Sequence, residues 1–155
     1  MTEYQYTPHS EHEIQAAIAQ AVSAITDEDL GKLDWDGLQK CSSQTVELLR
    51  GQGYDVRYLD VDDALESRWN ALMAVRPLPG AYDQALRQAL MISPVIQNEV
   101  ELIRYNLVSN PHQLGRNILS LERSAEFVMY ERFGTYDLPV ARALQLIKEA
   151  YDIKF

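Results

Sequence analysis

The sequence predicts a mainly α-helical fold: a single-domain antiparallel helical bundle of about six or seven helices with a minor β element. Apolar residues recur at helical spacing through most of the chain after Ser10, and residues that favour helix ends separate these runs. The short connections between runs favour antiparallel neighbours packed at a shallow angle. A length of 155 residues suits one domain, 1–155, with residues 1–9 as an N-terminal arm.

The first helix is predicted from its capping residues. Ser10 and Glu13 match the capping box, in which the serine hydroxyl accepts one free backbone N–H and the glutamate accepts the serine N–H. Ile14 and Ile18 then begin an apolar stripe at helical spacing. We therefore expect a helix from about Glu11 to Thr26.

The second helix should begin with a cap at Asp34 or Asp36. Gly51 and Gly53 should end it, because glycine takes the left-handed conformation that follows many helices. Its inward-facing residues are predicted to be Leu38, Cys41, Thr45, Leu48 and Leu49. Cys41 is the only cysteine, so no internal disulfide can form. We expect it to be a packing residue, since the sequence shows no neighbouring base that would activate its thiol.

The β element is predicted at Tyr54–Val61, a segment rich in β-forming residues that follows a glycine turn. A lone strand leaves backbone groups unpaired, so it needs a partner. Tyr4–Thr7 is the candidate, and the two segments together predict a two-stranded ribbon. The alternative is that Tyr54–Val61 pairs with another copy of the chain.

The rest of the chain is predicted to be helical. The predicted starts are Asp63 with Glu66, Ser93 with Pro94, Asn110 with Pro111, and Asp137. A further helix carries Tyr82, and Gly134 should end the helix before the last one. The inward stripes include Leu65 and Trp69, Ile96 and Val100, Ile118 and Leu121, and Leu144 and Ile147.

No metal or cofactor site is predicted. His9 and His12 lie beside two glutamates, but the spacing does not place both rings on one helical face, and HExxH is absent. Residues 27–29 and 34–37 match only pieces of a calcium-binding loop, without the glutamate that closes it. Residues 51–53 do not form a phosphate loop, because they precede the β segment and no Walker lysine follows.

Charge and hydropathy exclude several classes of function. The net charge is −9 and the bases are scattered, which argues against direct nucleic-acid binding. No apolar run approaches the roughly 20 residues that span a bilayer, and Met1–Ser10 lacks the features of a secretory signal. We therefore expect a cytoplasmic protein that neither enters membranes nor binds nucleic acid.

The distribution of charge is the main pointer to function. Residues 1–36 contain eight acids and one base, whereas residues 37–155 contain fifteen acids and thirteen bases. A field of one sign steers oppositely charged partners, although it also promotes solubility. Trp35 lies between two aspartates, as an aromatic anchor with an acidic rim would. The predicted partner-binding residues are Asp27, Glu28, Asp29, Asp34, Trp35 and Asp36.

Three functions follow from these observations. The leading hypothesis is a noncatalytic acidic protein, of protein-interaction or inhibitor type, whose N-terminal acidic segment binds a basic protein surface. The second is a small enzyme or ligand-binding bundle with a polar pocket lined by Tyr82, Arg104, Tyr105 and Glu126. The third is a structural subunit that self-associates through Tyr54–Val61. No residue is predicted to be catalytic, because the glutamates on the helix before Gly134 alternate with arginines, as they do on a solvated face.

Overall fold

The computed structural model describes residues 8–135 and 138–155, and these ranges are mainly helical, as predicted, with eight α-helices and no strand. The helices are α1 (Glu11–Ser23), α2 (Asp27–Gly31), α3 (Trp35–Gly51), α4 (Tyr58–Val75), α5 (Tyr82–Ile92), α6 (Pro94–Ser109), α7 (Leu114–Phe133) and α8 (Val140–Tyr151). A 3-10 turn at Pro111–Gln113 precedes α7. Among the helices described, none is long and apolar enough to cross a membrane.

The chain divides into two compact units, Met1–Leu72 and Met73–Phe155, and the division falls near the end of α4. The prediction of one domain therefore stays a prediction, as does the antiparallel arrangement of the helices. Each unit has buried apolar side chains of its own, described below for the first unit and then for the second.

In the first unit, α1 and α3 pack against each other, and α2 and α4 also bury apolar side chains. Its buried hydrophobic residues are Ile18, Val22, Leu30, Leu38, Val46, Leu49, Val56, Val61, Leu65 and Trp69. The capping box at Ser10 is confirmed, because its hydroxyl accepts the Glu13 N–H at 3.1 Å. However, α1 ends at Ser23, and Thr26 instead caps α2 by accepting the Asp29 N–H at 3.1 Å.

The predicted strand at Tyr54–Val61 is wrong. From Tyr58 onward the backbone is helical, and Val61, Leu65 and Trp69 form a buried stripe four residues apart. A helix pairs its backbone groups locally, whereas a lone strand cannot, so the helical stripe outweighs the β propensity of the preceding residues. Tyr4–Thr7, the predicted partner strand, lies outside the described residues.

Two further predictions in the first unit need correction. Asp63 does not begin a helix, since it lies in the second turn of α4. Leu48 does not face inward: its side chain is 57% exposed, whereas Ser42 and Val46 are buried. The buried stripe of α3 advances by three or four residues at each step, and Leu48 falls between two of these steps.

The second unit has one apolar cluster, to which α5, α6, α7 and α8 all contribute. Its buried residues are Leu78, Leu86, Leu90, Ile96, Val100, Ile103, Leu121, Ala125, Met129, Ala143, Leu146, Ile147 and Ile153. Ser93 caps α6 as predicted, by accepting the Ile96 N–H at 3.3 Å. Gly134 ends α7 with a φ of 71°, in the left-handed region that favours glycine. Asn110 makes no side-chain cap, and Asp137 lies outside the described residues.

Candidate functional site

We define the acidic face as the six residues predicted to bind a partner: Asp27, Glu28, Asp29, Asp34, Trp35 and Asp36. All six side chains are exposed, in α2, at the start of α3, or at the residue before α3. Acids in the first turn of a helix interact favourably with its positive end, so local helix stability explains part of this composition. Partner binding at these residues stays a prediction.

Asp34 and Gly37 fix the start of α3. Oδ1 of Asp34 accepts the Gly37 N–H at 2.7 Å, which makes Asp34 the N-cap. A Cβ atom at residue 37 would lie 3.1 Å from that oxygen and 3.2 Å from Cδ2 of Leu33. Glycine therefore permits this close approach, and Asp34 has a structural role of its own.

Arg68 on α4 links the acidic face to the end of α1. Its Nη1 donates to the carbonyl oxygen of Val22 at 2.6 Å, and its Nη2 donates to the carbonyl oxygen of Ile25 at 2.9 Å. Nη2 also pairs with Oδ1 of Asp27 at 2.6 Å. The Val22 carbonyl belongs to the last turn of α1 and also accepts the Ile25 N–H at 3.2 Å. Arg68 thus satisfies backbone acceptors and a carboxylate together.

The other acids of the acidic face differ in whether they already form an ion pair. Glu28 pairs with Lys32 at 3.4 Å, but both side chains are largely exposed, so the pair contributes little and is screened by salt. Asp29 and Asp36 have no cationic partner within residues 8–135 and 138–155. A basic surface could therefore approach these two carboxylates without breaking an existing ion pair.

Trp35 is the aromatic residue of the acidic face. Its side chain is 50% exposed, whereas Trp69 beside it is 7% exposed. The two ring centroids lie 6.1 Å apart at an interplanar angle of 64°, in an edge-to-face contact. Nε1 of Trp69 donates to the carbonyl oxygen of Leu33 at 3.0 Å, which fixes the turn before α3. A buried neighbour therefore supports the exposed indole.

The net charge belongs to one unit of the chain. Residues 1–72 contain fourteen acids and five bases, whereas residues 73–155 contain nine of each. The first unit therefore carries the whole excess of −9 and the second is neutral. Most of this excess lies in residues 1–36, and the rest lies between residue 37 and the end of the first unit at Leu72.

Comparisons with protein-family models, curated proteins and solved structures found no match for this chain. Besides the acidic face, the described part of the chain contains a carboxylate cluster, a cavity and a few individual side chains that could take part in chemistry.

The carboxylate cluster consists of Asp62, Asp63 and Glu66 on α4, with one oxygen of each within 4.8 Å of the others. Asp62 is 8% exposed, and its Oδ1 accepts a hydrogen bond from the Ser42 hydroxyl at 2.8 Å. Burial, followed by the charges of the two aspartates, raises the pKa of Glu66. Carboxylate oxygens suit hard cations, but nothing else in the described part of the chain indicates a ligand here, so we assign no metal.

A cavity of about 560 Å³ lies in the second unit, where α5 begins and α7 ends. It is lined by Pro79, Gly80, Ala81, Tyr82, Ala85, Arg132 and Phe133. Of the four residues predicted to line a pocket, Tyr82 lines this cavity and the others do not. Arg104 instead donates to Glu101 and to the carbonyl oxygen of Tyr151, while Tyr105 and Glu126 are exposed.

The cysteine and the histidines at positions 9 and 12 form no catalytic pair in the described structure. Burial raises the pKa of the Cys41 thiol, opposed by a hydrogen bond with Thr45, and a raised pKa disfavours the nucleophilic thiolate. His9 stacks on Tyr54 with ring centroids 4.3 Å apart, a contact that the sequence did not indicate. Neither His9 nor His12 joins a group of metal-ligating side chains within the described ranges.

Proposed function

We propose that this chain is a noncatalytic protein of interaction or inhibitor type that binds a basic protein surface through the acidic face. The observation that best supports the proposal is Trp35, a half-exposed indole supported by a buried tryptophan and flanked in sequence by two aspartates. Exposed carboxylates without cationic partners in the described structure, at Asp29 and Asp36, complete the surface. A cytoplasmic location and an antiparallel bundle arrangement form part of the same proposal.

Electrostatics support a basic partner. The first unit carries nine more acids than bases, so its field attracts positive surfaces and repels negative ones. Complementary charge mainly speeds association and selects among partners, and it contributes less to the lifetime of a complex. The acids should therefore control how fast the complex forms.

Trp35 should control how long the complex lasts. Tryptophan is enriched among residues that dominate binding energy, and such residues are typically surrounded by polar groups that exclude water. The contact with Trp69 also reduces the freedom that Trp35 would lose on binding, which lowers the entropic cost of association.

The alternatives have less support. Self-association through Tyr54–Val61 requires an exposed strand edge, and the structure has helix or irregular backbone there. A small enzyme or ligand-binding protein stays an alternative because the second unit contains a cavity beside Tyr82, although most of the residues predicted for the pocket lie elsewhere.

The test compares matched charge-neutralised variants in capture experiments from extract of the native cell, repeated over a salt series. Asp29→Asn with Asp36→Asn removes two carboxylates that neither cap a helix nor pair with a base in the described structure. Glu126→Gln with Glu131→Gln removes two exposed carboxylates from α7 and is the control. Circular dichroism should show unchanged folding for both, because surface substitutions usually alter stability by about 0.5 kcal/mol or less.

The captured protein is then measured by surface plasmon resonance. We expect the acidic-face variant to associate more slowly at low salt, with the difference shrinking as salt screens charges over about 8 Å. Trp35→Ala should instead raise the off-rate, with a loss of about 2 kcal/mol or more in binding free energy. Tyr105→Ala, an exposed aromatic control, should leave the off-rate unchanged. If all variants retain the same partners with the same strength at every salt concentration, the acidic face only promotes solubility.

A further inference from the structure

The cavity of the second unit combines aromatic walls with one cation. Tyr82 and Phe133 contact each other edge to face, with ring centroids 5.3 Å apart and an interplanar angle of 81°. Tyr82 is 54% exposed, so a bound ring could cover aromatic surface that is otherwise open to solvent. Apolar and aromatic walls with a few placed polar groups are typical of small-molecule sites.

Arg132 is the cation of this cavity. Its guanidinium carbon lies 5.6 Å from the centroid of the Phe133 ring, and no carboxylate in the described structure pairs with it. Arginine stays protonated at all ordinary pH values, and its planar fork matches a carboxylate through two hydrogen bonds.

The one acid of α5 does not compete for Arg132. Asp83 follows Tyr82 in the chain, but its carboxylate pairs with Arg142 and accepts the Leu78 N–H. The unit as a whole has equal numbers of acids and bases, so it does not repel an anion as the first unit would.

We infer that this cavity binds a small aromatic carboxylate, whose ring packs against Tyr82 and Phe133 and whose carboxylate pairs with Arg132. A volume of about 560 Å³ accommodates a bicyclic aromatic acid, and charge complementarity selects the acid over its neutral analogue. The cavity shares no residue with the acidic face, so ligand binding in the cavity and partner binding at the acidic face can be tested independently.

The test uses the full chain and three probes: indole-3-acetate, its neutral amide, and cyclohexylacetate. Binding is followed by saturation-transfer NMR and by titration. We expect the acid to bind on the order of tenfold more tightly than the amide, because a charge-assisted hydrogen bond is roughly twice as strong as a neutral one. Cyclohexylacetate should bind more weakly than indole-3-acetate, because it offers no aromatic ring.

Matched variants locate the site. Arg132→Gln should abolish the preference for the acid over the amide, whereas Arg123→Gln, the same change at another exposed position of α7, should leave it intact. Tyr82→Leu should keep the preference for indole-3-acetate over its amide but reduce the preference for indole-3-acetate over cyclohexylacetate. Equal binding of acid and amide, an unaltered preference in Arg132→Gln, or no binding of any probe at millimolar concentration would overturn the inference.

Discussion

The ion pair between Arg142 on α8 and Asp83 on α5 gives a prediction about stability that can be worked out bond by bond. Nε and Nη2 of Arg142 each lie 2.8 Å from one oxygen of the Asp83 carboxylate, and Nη1 donates to the carbonyl oxygen of Ala74 at 2.8 Å. The carboxylate also accepts the Leu78 N–H at 3.0 Å. The two side chains are only 9% and 23% exposed, so the pair is largely removed from water.

Arg142→Met removes three charge-assisted hydrogen bonds and leaves the Asp83 carboxylate with a single N–H donor. Breaking a buried pair by removing one partner costs about 3–5 kcal/mol, so we expect a loss of that size in the free energy of unfolding. Arg142→Met combined with Asp83→Leu removes both charges and should lose less than the single variant. The coupling energy of the double-mutant cycle then measures the interaction.

The same pair predicts a dependence on pH. Hydrogen bonds from Arg142, which outweigh the effect of burial, lower the pKa of Asp83. A lowered pKa stabilises the folded state above the pKa of the unfolded chain, about 3.9 for aspartate, and this contribution disappears as pH falls through the lower folded value. The advantage of the wild type over Arg142→Met should therefore be full at neutral pH and shrink below about pH 4.

Urea unfolding followed by circular dichroism, at neutral pH and at a series of acidic pH values, measures both effects. A loss of less than about 1 kcal/mol in Arg142→Met, which is the range of exposed ion pairs, or a loss that is the same at every pH would contradict a buried, stabilising pair.

Three further results are expected. Arg68→Ala should lower the free energy of unfolding by about 2–3 kcal/mol, because charged donors to two backbone carbonyls are lost. It should also speed amide hydrogen exchange at the end of α1, and unchanged exchange there would argue against the contact. Leu121→Ala should lower the free energy of unfolding, measured with urea, by about 2–5 kcal/mol. Leu48→Ala, at an exposed position, should change it by about 0.5 kcal/mol or less. Equal losses in the two variants would contradict the assigned core. The purified protein should contain no stoichiometric zinc or calcium, and a chelator should leave its Tm unchanged; one equivalent of metal lost on changing His9 and His12 to Ala would contradict this.

Local signals predicted the fold where cap and apolar stripe agreed. Ser10, Ser93 and Gly134 mark helix ends that the structure confirms, because a cap depends on residues within one turn. The prediction failed at Tyr54–Val61, where β propensity over eight residues conflicted with a helical stripe that continues into α4. Propensity is a weak guide in such a segment because tertiary burial decides between the two periods.

The candidate site was predictable only in part. Exposure of the acids follows from their polarity, and the cap at Asp34 follows from its position before a helix. The contacts of Arg68 with Asp27 and of Trp69 with Leu33 join residues that are 41 and 36 positions apart. A pattern read along one chain has no signal for such pairs, since they depend on how α4 packs in the folded unit.

The confinement of net charge to residues 1–72 affects how copies of the protein meet in concentrated solution. Colloidal repulsion between copies originates from this unit alone, because the second unit is neutral. The neutral unit also exposes aliphatic side chains, including Ile92 at 77% and Val108 at 87%. Neutralising substitutions in the first unit, or a pH near the isoelectric point of about 4.7, would therefore weaken the repulsion that keeps these side chains of neighbouring copies apart.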